Sequence, residues 1–235
     1  MDVPRVRYVV GDRARVFGSL TARNILAGDP DMAAVVADRF LVLDDQTGDR
    51  HHEGSWDEVA PGIRMMALRS GHTAHFWGIR MYTGNVITPG TAPPKRACDW
   101  LEGPVSAFLI DLVDEAGRTA IRLHVQDAAS RPPLGFPSRA LDSHHVDVAV
   151  VCVGGAEKII EYPGDLLKVI RPRMVLLTHW EDFFRSPARR PRVVRGSDLS
   201  KFVTAVDQWP WVLPRPGVAV RLHACPMAPP TGAVY

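Results

Sequence analysis

Short apolar runs bounded by turn residues recur along this chain, and they set out its elements before any single residue is considered. Asp2 ahead of Val3-Pro4 has the form of an N-cap followed by a first turn carrying proline, which predicts a helix from about residue 2. Ala14–Gly18 is predicted as a short strand, and Ser19 as the cap of a helix Leu20–Ala27 that ends before Gly28-Asp29-Pro30. Residues 35–43 and 56–69 are predicted to contain strands, separated by the polar loop Asp44–Gly54. Ile63–Arg69 is the clearer strand and runs into Ser70-Gly71-His72. Thr83–Pro94 reads as a loop. Val105–Asp111 and Arg118–Val125 read as a hairpin turning at Glu115-Ala116-Gly117, the second strand ending in Gln126-Asp127-Ala128. Val146–Val153 is a predicted buried strand before Gly154-Gly155.

The stretch Leu166–Phe184, LLKVIRPRMVLLTHWEDFF, joins several signals. Helix Gly164–Ile170 ends at a tight Arg171-Pro172 turn, and Met174–Thr178 has the continuous apolar character of a strand buried on both faces. His179 then stands at its C-terminal tip. Beyond it, Glu181–Phe184 is predicted as a short helix, and Ser197-Asp198 caps an amphipathic helix Leu199–Gln208. Val218–Leu222 is a closing strand before a Pro-rich tail. The order of strands and helices predicts an α/β fold in a single domain spanning residues 1–235, with no repeat and no linker dividing it.

Composition narrows the function classes. The chain has 235 residues, 46% of them hydrophobic and 23% charged, and its net charge of +2 gives no case for a nucleic-acid or membrane partner. Cys98, Cys152 and Cys225 are three, widely spaced and without a CxxC, so a reducing, cytoplasmic setting is expected instead of a disulfide framework. No run is long and apolar enough to span a bilayer, and the N-terminus lacks the apolar core of a signal peptide.

Three predicted strands end in a residue type that binds metals: Ile63–Arg69 leads to His72, Arg118–Val125 to Asp127 and Met174–Thr178 to His179. Imidazole and carboxylate are standard ligands of zinc and other first-row metals, and strand tips hold them on a rigid base. Each residue also has a structural reading: Asp127 as a turn cap, His72 as a loop histidine, His179 as a satisfied histidine of the fold. The joint pattern favours a metal site at one sheet edge.

These blocks resemble a known family. SGHTAH, LHVQDAAS, VDVAVVCVGG and PRMVLLTHWEDFF are similar to the pattern of the metallo-β-lactamase-fold hydrolases, in the branch whose last metal histidine sits in an HWxDFF-like sequence. The resemblance runs from Asp2 to about Leu222. It implies a four-layer αβ/βα sandwich and a two-metal site, most often zinc, with manganese or iron as alternatives. It further implies a metal-activated water that attacks an ester, lactone, amide or phosphodiester in a small-molecule substrate. His72 would be the third histidine of the first metal, Asp127 the bridging and catalytically positioning aspartate, and His179 the last histidine of the second metal.

The family's HxHxDH signature does not occur in this sequence. The chain is therefore expected to begin just after it, without the first strands. One outer layer would then be thinned, and an unpaired apolar edge would favour self-association. Weak metal binding and impaired hydrolysis are expected, the rival reading being an inactive remnant or binding module that keeps the fold. His75 is the nearest spare imidazole to His72. His144-His145 with Asp147, Asp182 after His179, and the basic stretch Arg185–Arg195 have plainer structural readings. Trp77, Trp100, Trp180, Phe183 and Phe184 are pocket or core residues.

Overall fold

The computed structural model describes residues 10, 13–43, 53–74, 79–137, 144–182, 185, 189–215 and 218–221. The helix expected from Asp2 lies outside these residues apart from Val10, which is helical and buried. Strand β1 (Val16–Gly18) leads to Ser19, whose hydroxyl accepts the Ala22 N–H and so starts α1 (Leu20–Ala27) as expected.

Residues 35–43 contain the expected strand only in their last part, the rest being helix. Helix α2 spans Pro30–Arg39, and only Phe40–Val42 is strand (β2), paired in parallel with β1. Asp29 is the reason: its carboxylate accepts the N–H groups of Asp31 and Met32, and Pro30 fits the first helical turn. Met32 and Val36, four residues apart, bury against Leu26 and Trp100. Cap and packing thus outweigh the strand preference of Val35-Val36. Asp29→Ala should lower unfolding stability by about 1 kcal/mol, read from a urea titration; an unchanged midpoint would show that the cap is not what holds α2.

The main sheet has seven strands in sequence order: β3 (Glu53–Ala60), β4 (Ile63–Ser70), β5 (Val105–Val113), β6 (Thr119–Gln126), β7 (Val148–Cys152), β8 (Met174–Thr178) and β9 (Trp211–Val212). Pairing is antiparallel from β3 to β6 and parallel from β6 to β9. The β5–β6 turn is made by Asp114, which accepts from the N–H groups of Ala116 and Arg118, and by Gly117 at φ 74°. Because β5 is antiparallel to both neighbours, β4 points the same way as β6, β7, β8 and β9. Five C-terminal strand ends therefore share one edge.

Helix α3 (Gly164–Ile170) contributes Leu166, Leu167 and Ile170 to the main core, and α4 (Leu199–Val206, capped by Asp198) contributes Phe202 and Val206. They pack with Leu109, Ala149, Val151, Val175 and Leu177 of the sheet. The described residues thus form an α/β fold with a seven-stranded mixed sheet and four α-helices, none long and apolar enough to cross a membrane.

Two further expectations fail on described residues. Val218–Arg221 is not strand, and Val218 is 58% exposed; the last strand is Trp211–Val212, held on β8 by the Val175 N–H bond to Pro210. Glu181 forms a bridge to Val193 instead of starting a helix, since Asp182 N–H bonds to Arg192 O and Val194 N–H to Trp180 O.

Candidate functional site

His179 sits one residue beyond β8 with φ 53°, a left-handed backbone that a histidine adopts only where the surroundings hold it. Those surroundings are Gly154 and Gly155, just beyond the end of β7. A Cβ on Gly154 would stand 2.9 Å from Cδ2 of His179 and 3.0 Å from its carbonyl oxygen. On Gly155 it would stand 2.7 Å from Oγ1 of Thr73, the residue after His72. Only glycines let the loop after β4 and the tip of β8 both close against the end of β7.

Asp127 and His179, from β6 and β8, come together across the intervening strand. His179 Nδ1 lies 3.5 Å from Asp127 Oδ1, with the carboxylate 76% exposed and the imidazole 30% exposed. The Asp127 carboxylate, joined by Cys152 and opposed by partial burial, pushes the His179 pKa up to about 10. The pair is therefore an imidazolium–carboxylate contact at neutral pH.

His72 is on the same edge, half-buried, with Nδ1 2.7 Å from the Thr73 carbonyl oxygen. Lys158 holds this loop by donating to Ala74 O at 2.8 Å. The structure thus brings Asp127 and His179 into contact, while His72 is followed by Thr73, whose hydroxyl lies against Gly155.

Beneath the edge, Gln126 donates to the hydroxyls of Ser130 (2.7 Å) and Ser70 (3.3 Å), and Ser130 donates to Leu134 O. This buried polar cluster ties the loop after Asp127 to the end of β4. It escaped the sequence reading because Gln126 and Ser130 look like ordinary loop-edge polar residues. So did Cys152, an apolar-strand residue by position, whose backbone N–H is held by the Tyr162 hydroxyl at 3.2 Å.

The other candidates take structural parts. Asp147 lies at the opposite sheet edge, accepting from the Arg122 N–H and contacting His144 at 2.9 Å and Arg173 at 3.3 Å. Asp182 is buried and receives two bonds from the Arg192 guanidinium, fastening the basic stretch back onto the chain. Trp180 packs on the main core and donates to Pro214 O, and Trp100 packs against α1 and α2. His51, His52, His75, Trp77, Phe183, Phe184 and His223 lie outside the described residues. A cleft of about 460 Å³ between α1 and residues 86–99, edged by Lys95 and Arg96, contains none of the three strand-tip residues.

Zinc in a catalytic site takes about three protein ligands and a water. Among the described residues no group of three or more His, Cys, Asp or Glu side chains is set around a common point. The donors that meet here, one carboxylate and one imidazole, do not fit a two-ion centre. No family model, no curated protein and no solved structure matches this chain.

Proposed function

We propose that this chain is a domain of the metallo-β-lactamase type, a four-layer αβ/βα sandwich, carrying part of a metal-dependent hydrolase site. Asp127 and His179 are its metal ligands, with His72 alongside. The substrate class is a small molecule with an ester, lactone, amide or phosphodiester bond. The chain as given is impaired in that hydrolysis, because the residues that meet supply too few donors for two ions.

The observation that carries this reading is the contact between Asp127 and His179. They lie just past the ends of strands separated by β7, at the one edge where five C-terminal strand ends gather. A turn cap and a stray loop histidine have no reason to meet there. A reading as a binding module that keeps the fold without hydrolysis is favoured by the lack of any assembled three-donor group among the described residues.

Zinc titration of the purified, metal-stripped chain tests the proposal, beside assays on generic ester, lactone, amide and phosphodiester substrates. Expected is at most one bound ion per chain, abolished in His179→Ala and weakened in Asp127→Asn, with slow, zinc-dependent turnover. Tight binding of two ions, or zinc binding untouched by either substitution, overturns it. Binding without turnover on any substrate supports the binding-module reading.

A further inference from the structure

We propose that the cleft between α1 and residues 86–99 binds a small amphipathic organic anion, a carboxylate on an apolar chain. The site goes beyond the strand-tip reading and needs neither Asp127 nor His179.

Close contacts fix this loop on the helix. Val86 N–H donates to Thr21 Oγ1 at 3.1 Å, Asn24 Nδ2 to Val86 O at 2.8 Å, and Gly90 N–H to Asn24 O at 2.9 Å. A Cβ on Gly28 would stand 2.5 Å from Ala92 O, so only glycine lets the loop lie this close to the end of α1. Asp99 fixes the far end, its Oδ2 accepting the N–H groups of Lys95 and Arg96 at 3.3 Å and 3.0 Å. Between these anchors, Pro93 and Pro94 have φ angles set by their rings. A cleft held in this way is formed before any ligand arrives. Little ordering then remains for binding to offset.

The volume of about 460 Å³ falls within the range of about 300–1,000 Å³ usual for small-molecule sites. Two features of the lining specify the ligand. Ile25, Val86, Ala92, Pro93 and Pro94 offer apolar surface, which favours a hydrocarbon chain. Lys95 and Arg96 border it and are exposed, and neither forms a salt bridge among the described residues. The acidic neighbour, Asp99, is already engaged by the two backbone N–H groups. A carboxylate at the end of the chain gives both cations a charge-assisted partner while its apolar part covers the wall.

Titration of the isotope-labelled full chain with sodium octanoate, followed by amide NMR shifts, tests the proposal. Octanoate should give saturable shifts in residues 24–28 and 86–99, with the strand tips unmoved. Octylamine keeps the chain and reverses the charge, and acetate keeps the acid and lacks the chain. Each should bind at least about tenfold more weakly than octanoate, the scale of one lost charge-assisted bond. Lys95→Ala combined with Arg96→Ala should weaken octanoate by a similar factor, and so should added salt. Both side chains are exposed, so the variant should fold; the three-ligand comparison decides the charge requirement without any variant. Absence of saturable shifts at millimolar octanoate, or shifts centred elsewhere, overturns the site. Octylamine binding as tightly as octanoate, or an affinity untouched in the double variant, overturns the assignment of an anion.

Discussion

Asp111→Ala should cost the domain about 3–5 kcal/mol, the usual consequence of removing one partner from a buried ion pair. Asp111 on β5 is fully buried, and so is Arg122 on β6. Register sets Arg64, Asp111 and Arg122 side by side across three strands. Asp111 Oδ1 accepts from Arg122 Nε at 2.7 Å, while Oδ2 accepts from Arg122 Nη2, from Arg64 and from the Thr119 hydroxyl. Burial pushes the Asp111 pKa up, but the bonds from Arg122, Arg64 and Thr119 together outweigh it and hold the carboxyl below its ordinary value. Both guanidiniums also lie over the Trp56 ring, at 4.7 Å and 5.2 Å from its centre.

Truncation at Asp111 leaves two cations facing each other, one with no access to water. The loss should appear as a lower urea midpoint with the slope unchanged. Asp111→Leu combined with Arg122→Leu should recover part of it, since the penalty comes from the orphaned charge more than from the lost attraction. A single-variant loss below about 1 kcal/mol, the scale of an exposed pair, would show that water reaches this row.

This row also marks a limit on what the sequence discloses. In Arg118–Val125 the alternation Ile121, Arg122, Leu123, His124, Val125 reads as a strand with one apolar and one solvated face. Both faces are covered, and the polar one more completely: Arg122, His124 and Gln126 are fully buried, whereas Leu123 and Val125 are only half-buried. Nothing local to β6 tells a solvated arginine from one whose partner lies on β5. Where local chemistry suffices, the sequence is legible. Ser19 starts α1, Gly164–Ile170 is α3, and Met174–Thr178 is β8 with His179 at its tip.

Legibility was lost at α2, where Asp29 and Pro30 made a cap that the apolar run in residues 35–43 concealed. The site shows the same division. Metal-type residues at strand tips could be read from spacing, and strand direction gathers them on one edge. The contact of His179 with Asp127 depends on Gly154, whose role is a close approach visible only in three dimensions.

Acid should destabilise the domain through His124, in a window separate from that of the site histidine. His124 is fully buried on β6; Nε2 lies 2.8 Å from Gly135 O and donates to it, and Nδ1 has no partner among the described residues. Burial, only partly opposed by the bond to Gly135, lowers its pKa from 6.5 to about 4. Below pH 6.5 the unfolded chain takes up a proton that the folded chain refuses until about pH 4. Folding stability is therefore unaffected by this group above pH 6.5 and falls progressively as pH drops to about 4. With about 1.4 kcal/mol per pKa unit, the loss approaches about 3 kcal/mol. His179 has the opposite sign: its raised pKa adds stability that is full below pH 6.5 and is lost as pH rises toward about 10. Urea unfolding of the native chain and of His124→Phe, at pH 7 and at pH 4.5, isolates the buried group. The variant should start lower, with Gly135 O left unbonded, but lose much less stability between the two pH values. An equal loss in both proteins would place the acid sensitivity elsewhere and show that His124 exchanges protons with solvent in the folded state.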